Sequence, residues 1–318
     1  MTAGVTACVL AVLAAGPFAH HGEGADGMDF GAFKVSRLTC VIGNNAGKGE
    51  HLGGYNGVFA MARPGEDDSP FVPFYAGLNL EHYFDASPRN PDNSIFFEPR
   101  HAAMGFRRLS DTAAELYQAP TPHFGMESWT RFELKEPYYV DFSFRCKPTK
   151  DVFEGGYFGV FWASYINAPI DKSIYFLSGG ATLAEPRWLQ LCTQQHGRDS
   201  TVRAATDEHE LPFPDEATTL FNGLSPLRYG EPFFYGRFRD SVLIYIFEPG
   251  PCIRLAHSPS GGGSTAAGDD TNPAWDFQLI VPDYEVGQEY GLRGRLVYKP
   301  WEGREDVLRE VAKYRDEP

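Results

Sequence analysis

Apolar and polar positions alternate along much of the chain with the period of two that an extended strand imposes. The pattern is clearest where Tyr139, Asp141, Ser143 and Arg145 interleave with Val140, Phe142 and Phe144. Segments of the same kind cover 33–42, 58–62, 94–98, 104–109, 114–118, 129–134, 138–145 and 242–247, and 188–193 reads as a further strand. Pro137, Pro148 and the Gly155-Gly156 pair punctuate them. The glycine-rich piece 43–49 lacks the GxxxxGK[ST] spacing of a phosphate loop and reads as a hairpin or surface loop. Residues 199–215 read as a polar loop, and 258–272, with Gly261-Gly262-Gly263 and Asp269-Asp270, as a loop of the kind that borders a site. Only 304–314 carries a helical stripe, Val307, Leu308 and Val311, with Glu302 and Glu305 early and Lys313 and Arg315 late, as a helix dipole favours.

Many short strands joined by turns predict an all-β chain: a large antiparallel β-sandwich with a short C-terminal helix. Composition agrees. Of the 318 residues 42% are apolar, and 25 Phe and 16 Tyr suit pleated, half-buried surfaces, while 34 Gly and 24 Pro supply turns. The formal charge of −14 comes without a block of Lys and Arg, so no nucleic-acid partner is expected.

The chain divides into an N-terminal segment, 1–27, and a single sandwich domain, 28–318. The first is small and apolar to Ala19, then polar from His20, which resembles a secretory leader and its cleavage zone, although no Lys or Arg precedes Lys34. Periplasmic or secreted localisation is the expectation, with a disordered tail as the other reading. No later run reaches the length of a membrane span. The five cysteines, Cys8, Cys40, Cys146, Cys192 and Cys252, form no CxxC pair. Without Cys8, four remain, for two disulfides or for buried free thiols.

Candidate chemistry clusters in four places. Residues 77–85 set His82 between Glu81 and Asp85 among aromatics. In Phe96-Phe97-Glu98-Pro99-Arg100-His101, extended backbone puts Glu98 and Arg100 on one face, as an ion pair or a sugar grip, with His101 turned away. Glu127, Trp129 and Arg131 share one strand face, which suits sugar binding or simple packing of Arg on Trp. The aromatic run 156–167 serves as core or as a stacking platform for a sugar ring, with Asn167 and Asp171 bonding its hydroxyls. No HxH, HExxH or GxSxG pattern occurs, so neither a metal, a cofactor nor a serine nucleophile is expected. Asp269-Asp270 and the Glu81/Asp85 pair are weak oxygen donors for calcium.

Asn79-Leu80-Glu81-His82-Tyr83-Phe84-Asp85 is similar to the Asn-His-x-Tyr-Phe-Asn segment of the aldose 1-epimerase (galactose mutarotase) family. Here His82 directly precedes Tyr83, and Asp85 stands where the family usually has Asn. Pro282 to Tyr290, followed by Arg295-Leu296-Val297-Tyr298, resembles that family's closing strands. The resemblance implies a mutarotase-like supersandwich and a histidine, His82, that handles a proton at the sugar ring. Where the family has a glutamate base before those strands, this chain has His257.

The resulting expectation is a protein that binds a sugar or glycan in a cleft holding His82, Arg100, Glu127, Trp129, Arg131 and His257. His82 and His257 are the acid and base candidates of an epimerase, lyase or hydrolase, and Glu98, His101 and Asn167 are further binding candidates. The alternative is a non-catalytic secreted carbohydrate-binding module. Nothing in the sequence bears on oligomeric state.

Overall fold

The computed structural model describes residues 28–47, 51–213 and 220–317. The leader-like segment and Cys8 lie outside the described residues. Three sheets account for the strands. β1 (Phe30–Val35), β2 (Leu38–Gly43) and β3 (Gly57–Ala62) form a small antiparallel sheet. Six strands make the second, in the order β13 (Leu224–Tyr229), β12 (Thr201–Ala204), β16 (Cys252–Ser258), β17 (Ala274–Pro282), β9 (Tyr157–Ala163) and β4 (Asn79–Phe84). The third has nine. Its order is β11 (Trp188–Leu191), β10 (Ile174–Leu177), β14 (Phe233–Phe238), β15 (Ser241–Phe247), β18 (Tyr290–Pro300), β8 (Tyr139–Pro148), β7 (Met126–Lys135), β6 (Ala113–Gln118) and β5 (Met104–Arg108). Every pairing is antiparallel except β12 with β13.

The two large sheets face each other across one apolar core. Phe142, Phe144, Phe234, Tyr245 and Phe247 come from the nine-stranded sheet, and Phe158, Trp162, Trp275 and Phe277 from the six-stranded one. Rings meet across the gap: Phe144 and Trp162 centroids are 4.8 Å apart, as are those of Phe247 and Phe277. The run 156–167 is therefore core on one parity only. Phe158 and Trp162 point inward, while Tyr157, Phe161 and Tyr165 join a second apolar cluster. α3 (Arg304–Asp316), the expected C-terminal helix, covers part of the nine-stranded sheet's outer face through Val307 and Val311. The buried Lys299 ammonium anchors it by donating to Asp306 at 2.9 Å and Glu310 at 3.2 Å.

Three sequence expectations change. The 33–42 run is a hairpin, with Val35 opposite Leu38 and the Ser36 amide donating to Glu136 in the turn. Within 199–215, Thr201–Ala204 is strand β12, inserted between β13 and β16. Residues 94–98 are not a strand. The Asp92 carboxylate accepts the Ser94 amide at 2.8 Å and starts α1 (Asn93–Phe96), and Pro99 fits the first turn of α2 (Glu98–His101). Local capping thus overrides the strand propensity of Ile95, Phe96 and Phe97. The cysteine alternatives resolve to free thiols: Cys40 and Cys146 are buried, Cys252 half-buried and Cys192 exposed.

Packing is tight where the Trp275 indole crosses the sandwich to β14. A Cβ built on Gly236 would lie 2.3 Å from that ring. Gly236→Ala is expected to lower stability by about 1–3 kcal/mol, as overpacking of a filled core does; urea denaturation checks it, and an unchanged midpoint would mean that the indole is free to shift.

Candidate functional site

β4 is the edge of the six-stranded sheet, and two devices shape it. The register against β9 slips between Leu80 and His82, so β4 carries one extra residue, Glu81. A bulge breaks the strand's alternation, and Glu81 and His82, though neighbours in sequence, turn toward each other: Glu81 Oε1 and His82 Nε2 are 3.1 Å apart. The free edge is closed by an amide rather than a strand. Asn56 donates through Nδ2 to the Leu80 carbonyl at 2.9 Å and accepts the Leu80 amide at 3.0 Å. Gly57 makes this approach possible, since its φ of 93° is left-handed and a Cβ there would lie 2.5 Å from the Leu78 carbonyl oxygen.

His82 is nearly fully buried between the Phe96 and Phe97 rings of α1 and its cap, with centroids 4.4 and 4.5 Å away. Its Nδ1 lies 2.7 Å from the Phe96 carbonyl. A carbonyl only accepts, so Nδ1 carries a hydrogen, and any proton on Nε2 is shared with Glu81. The other Glu81 oxygen accepts Asn79 Nδ2 at 3.1 Å and the Tyr165 hydroxyl. Burial alone would push the Glu81 carboxyl up, but His82, Arg100 and Tyr165 together outweigh it and hold it below the ordinary carboxylate range. Tyr165 moves the other way, raised well above the usual phenol by burial and by the Glu81 charge.

Arg100 faces this pair from α2. Its Nε donates to the Gly54 carbonyl at 2.9 Å, and its guanidinium lies 4.1 Å from the Tyr55 centroid and 4.9 Å from that of Phe97. Tyr55 stacks on Tyr75 at 4.5 Å, and both meet Tyr165 edge-on, giving a half-buried aromatic wall. The loop 259–272 borders that wall, because a Cβ on Gly263 would lie 3.5 Å from the Tyr75 hydroxyl oxygen. Exposed His196 stands near enough for Glu81, Arg89 and His82 to act on its charge, with partial desolvation the larger influence, and its pKa is lowered. A second carboxyl lies beneath. Asp276 is fully buried, accepts the Ser164 amide at 3.1 Å, and is driven well above the carboxylate range by burial and then by Glu81. One carboxyl is thus held ionised and its neighbour neutral, the division that acid–base chemistry requires.

The remaining sequence candidates lie elsewhere. His257 pairs with Trp275 on the core-facing side of β16, the opposite face of the same sheet from His82. Its Nε2 donates to the Lys172 carbonyl at 2.9 Å, and its Nδ1 accepts the Thr193 hydroxyl at 2.7 Å. Both ring nitrogens are occupied in a fully buried setting, so the expected meeting of His82 and His257 does not occur. Glu127, Trp129 and Arg131 do share a face of β7, but it is the outer face of the nine-stranded sheet, where Glu127 takes Lys147 and Tyr117, Arg145 lies 4.8 Å from the Trp129 centroid, and Arg131 pairs with Glu133. The whole sandwich separates them from His82. Glu98 does not pair with Arg100. It is buried and accepts the His123 and Phe124 amides at 2.5 and 3.0 Å. His101 is exposed on α2, Asn167 donates weakly to the Ser69 carbonyl at 3.5 Å, and Asp85 accepts the Ser87 and Glu154 amides as a turn former.

Of the cluster around His82, sequence reasoning singled out Arg100 but missed Glu81 as its partner, because strict alternation puts adjacent residues on opposite faces. Tyr165 was legible as the third of Phe161, Ala163 and Tyr165 on one parity. Tyr55, Tyr75, His196 and Asp276 come from four separate segments, and no spacing links them.

No family model matches the chain, and no curated protein is detectably similar in sequence. Solved structures are similar in fold. An Escherichia coli K12 protein provisionally named as an aldose 1-epimerase superposes over 86% of this chain and 100% of its own, with TM-score 0.51 and 10% identity. A galactose mutarotase-like protein from Lactobacillus casei aligns over 85% of this chain and 100% of its own at TM-score 0.47 and 7% identity. An aldose epimerase homologue from C. elegans aligns over 85% and 99% at TM-score 0.46 and 8% identity. The first carries the argument: this chain has a distant mutarotase-like fold.

Burial holds the His257 pKa at about 4, below the usual 6.5. The unfolded chain therefore binds a proton at a pH where the folded one does not, so this stability is complete above pH 6.5 and falls as pH drops toward 4, by on the order of 3 kcal/mol. Denaturant titrations between pH 7 and 4 should show a shallower pH dependence in His257→Gln than in wild type; equal slopes would mean that His257 titrates normally.

Proposed function

We propose that the protein binds a carbohydrate at the half-buried aromatic wall beside β4 and acts on it by proton transfer through Glu81 and His82. The carrying observation is the 3.1 Å contact between Glu81 Oε1 and His82 Nε2, made by a bulge and backed by Tyr165 and Arg100. The dyad is placed to pass a proton, Tyr75, stacked on Tyr55, offers its other aromatic face to the C–H face of a pyranose, and Arg100 supplies fixed positive charge for an oxygen that gains electron density. The mutarotase-like fold and its likeness to a protein named as an aldose 1-epimerase favour a sugar as the ligand. Epimerisation, β-elimination and glycoside hydrolysis all need such a proton relay. The alternative is a carbohydrate-binding module that performs no chemistry.

A panel of monosaccharides and glycans, read for binding and for product, separates these readings. Wild type should turn over at least one sugar, and Glu81→Gln and His82→Ala should each lose about 100-fold or more in kcat, the lower bound of what a general acid–base group contributes, while still binding it. Binding without turnover in wild type would select the module. No binding by any protein in the panel would remove the carbohydrate reading.

A further inference from the structure

A second constellation lies on the same sheet at β16 and β12, three and four strands from β4 and so about 14 to 19 Å away at the usual strand spacing. Asp207, His209 and Cys252 bring a carboxylate oxygen, an imidazole nitrogen and a thiol sulfur within 4.8 Å of one another. Asp207 and His209 follow β12, while Cys252 opens β16, so the trio joins two segments distant in sequence. All three line one open groove of about 960 Å³ at the end of the sandwich, bounded also by Tyr229 and Pro251.

We propose that Asp207, His209 and Cys252 form a binding site for a borderline divalent cation such as Zn²⁺, independent of the Glu81–His82 dyad. Mixed oxygen, nitrogen and sulfur donors suit zinc above the harder Mg²⁺ and Ca²⁺. Three protein ligands beside an open groove leave the fourth tetrahedral position to water or a groove ligand, as in open zinc sites. The carboxylate is already oriented. Arg254, with no exposed surface, donates from Nε to Asp207 Oδ2 at 2.8 Å and from Nη2 to Oδ1 at 3.4 Å, and the His209 amide donates to Oδ1 at 3.1 Å, which holds that oxygen 3.1 Å from His209 Nδ1. Arg254 thus serves as the outer hydrogen-bond donor that ligating carboxylates commonly have. Its positive charge opposes the cation, so affinity rests on the thiolate that binding creates and on the imidazole. Pairing with Arg254 accounts for Asp207 by itself. It does not account for the Cys252 thiol, which comes from a different strand and lies within 4.8 Å of the ligand atoms of Asp207 and His209.

The test is titration of the purified, chelator-treated full chain with Co²⁺ and Zn²⁺. One equivalent of Co²⁺ should give a thiolate-to-cobalt charge-transfer band that Zn²⁺ displaces. Cys252→Ser should abolish the band, and His209→Ala should weaken binding at least about tenfold, in line with losses seen even for outer-shell changes. Both side chains lie at the groove wall, so these variants leave the buried Arg254–Asp207 pair in place, whereas Asp207→Asn would strand Arg254 and confound folding with binding. Absence of a charge-transfer band in wild type, or affinity unchanged in both variants, would overturn the site.

Discussion

Parity within a strand decides which side chains in this molecule can meet. In a sandwich the inner face of each sheet belongs to the core, so a residue's sheet and its odd or even position fix its surroundings. His257 and His82 sit in the same sheet yet on opposite sides of it. Glu127 and Trp129 lie beyond the other sheet altogether. The extra residue in β4 is a local exception to that alternation, and the candidate acid–base pair depends on it. Without that bulge His82, two residues from the inward-facing Leu80, would point into the apolar layer formed by Leu80 and Trp162, on the opposite face from Glu81.

An edge strand with a bulge is weakly held by its ladder alone, and the surrounding polar contacts compensate. Asn56 replaces the missing neighbour strand on both sides of Leu80. Asn79 links that amide to the Glu81 carboxylate, because its Oδ1 accepts the Asn56 amide at 3.0 Å while its Nδ2 donates to Glu81. The α1 and α2 turns then cap His82 through the Phe96 carbonyl and place Arg100. Position and charge state therefore share one network, since the groups that fix the Glu81 carboxylate are those that keep it ionised despite its burial.

Much of the architecture was legible because it rests on periodicity. The β8 alternation is read directly from Tyr139 to Arg145, and the Val307 stripe of α3 is equally local. Strand parity also gave the shared face of Glu127, Trp129 and Arg131, though not which layer of the sandwich that face belongs to. Residues 94–98 were misread because a capping Asp92 and an early Pro99 outweigh the β-propensity of three apolar residues, a balance that periodicity does not weigh. His82 was found through its neighbours in sequence. Arg100 comes from the helical turn α2, while Tyr165 and Asp276 are brought to the Glu81 side of the sheet by pairing of strands far apart in the chain, which a single sequence does not encode locally.

The same reasoning separates the two polar clusters of the six-stranded sheet. Glu81 is held ionised beside His82, Arg100 and Tyr165 and lies under an aromatic wall, so its charge is already met by Arg100 and a second cation would gain little there. Asp207 also has an arginine partner, yet it lies within 4.8 Å of an imidazole nitrogen and a thiol sulfur instead of meeting a phenol, a donor set that suits a borderline cation. The difference lies in the third partner. A hydroxyl on the carboxylate suits the proposed proton relay, whereas a thiol beside it suits the proposed coordination sphere, and the two clusters stand three to four strand spacings apart on one sheet.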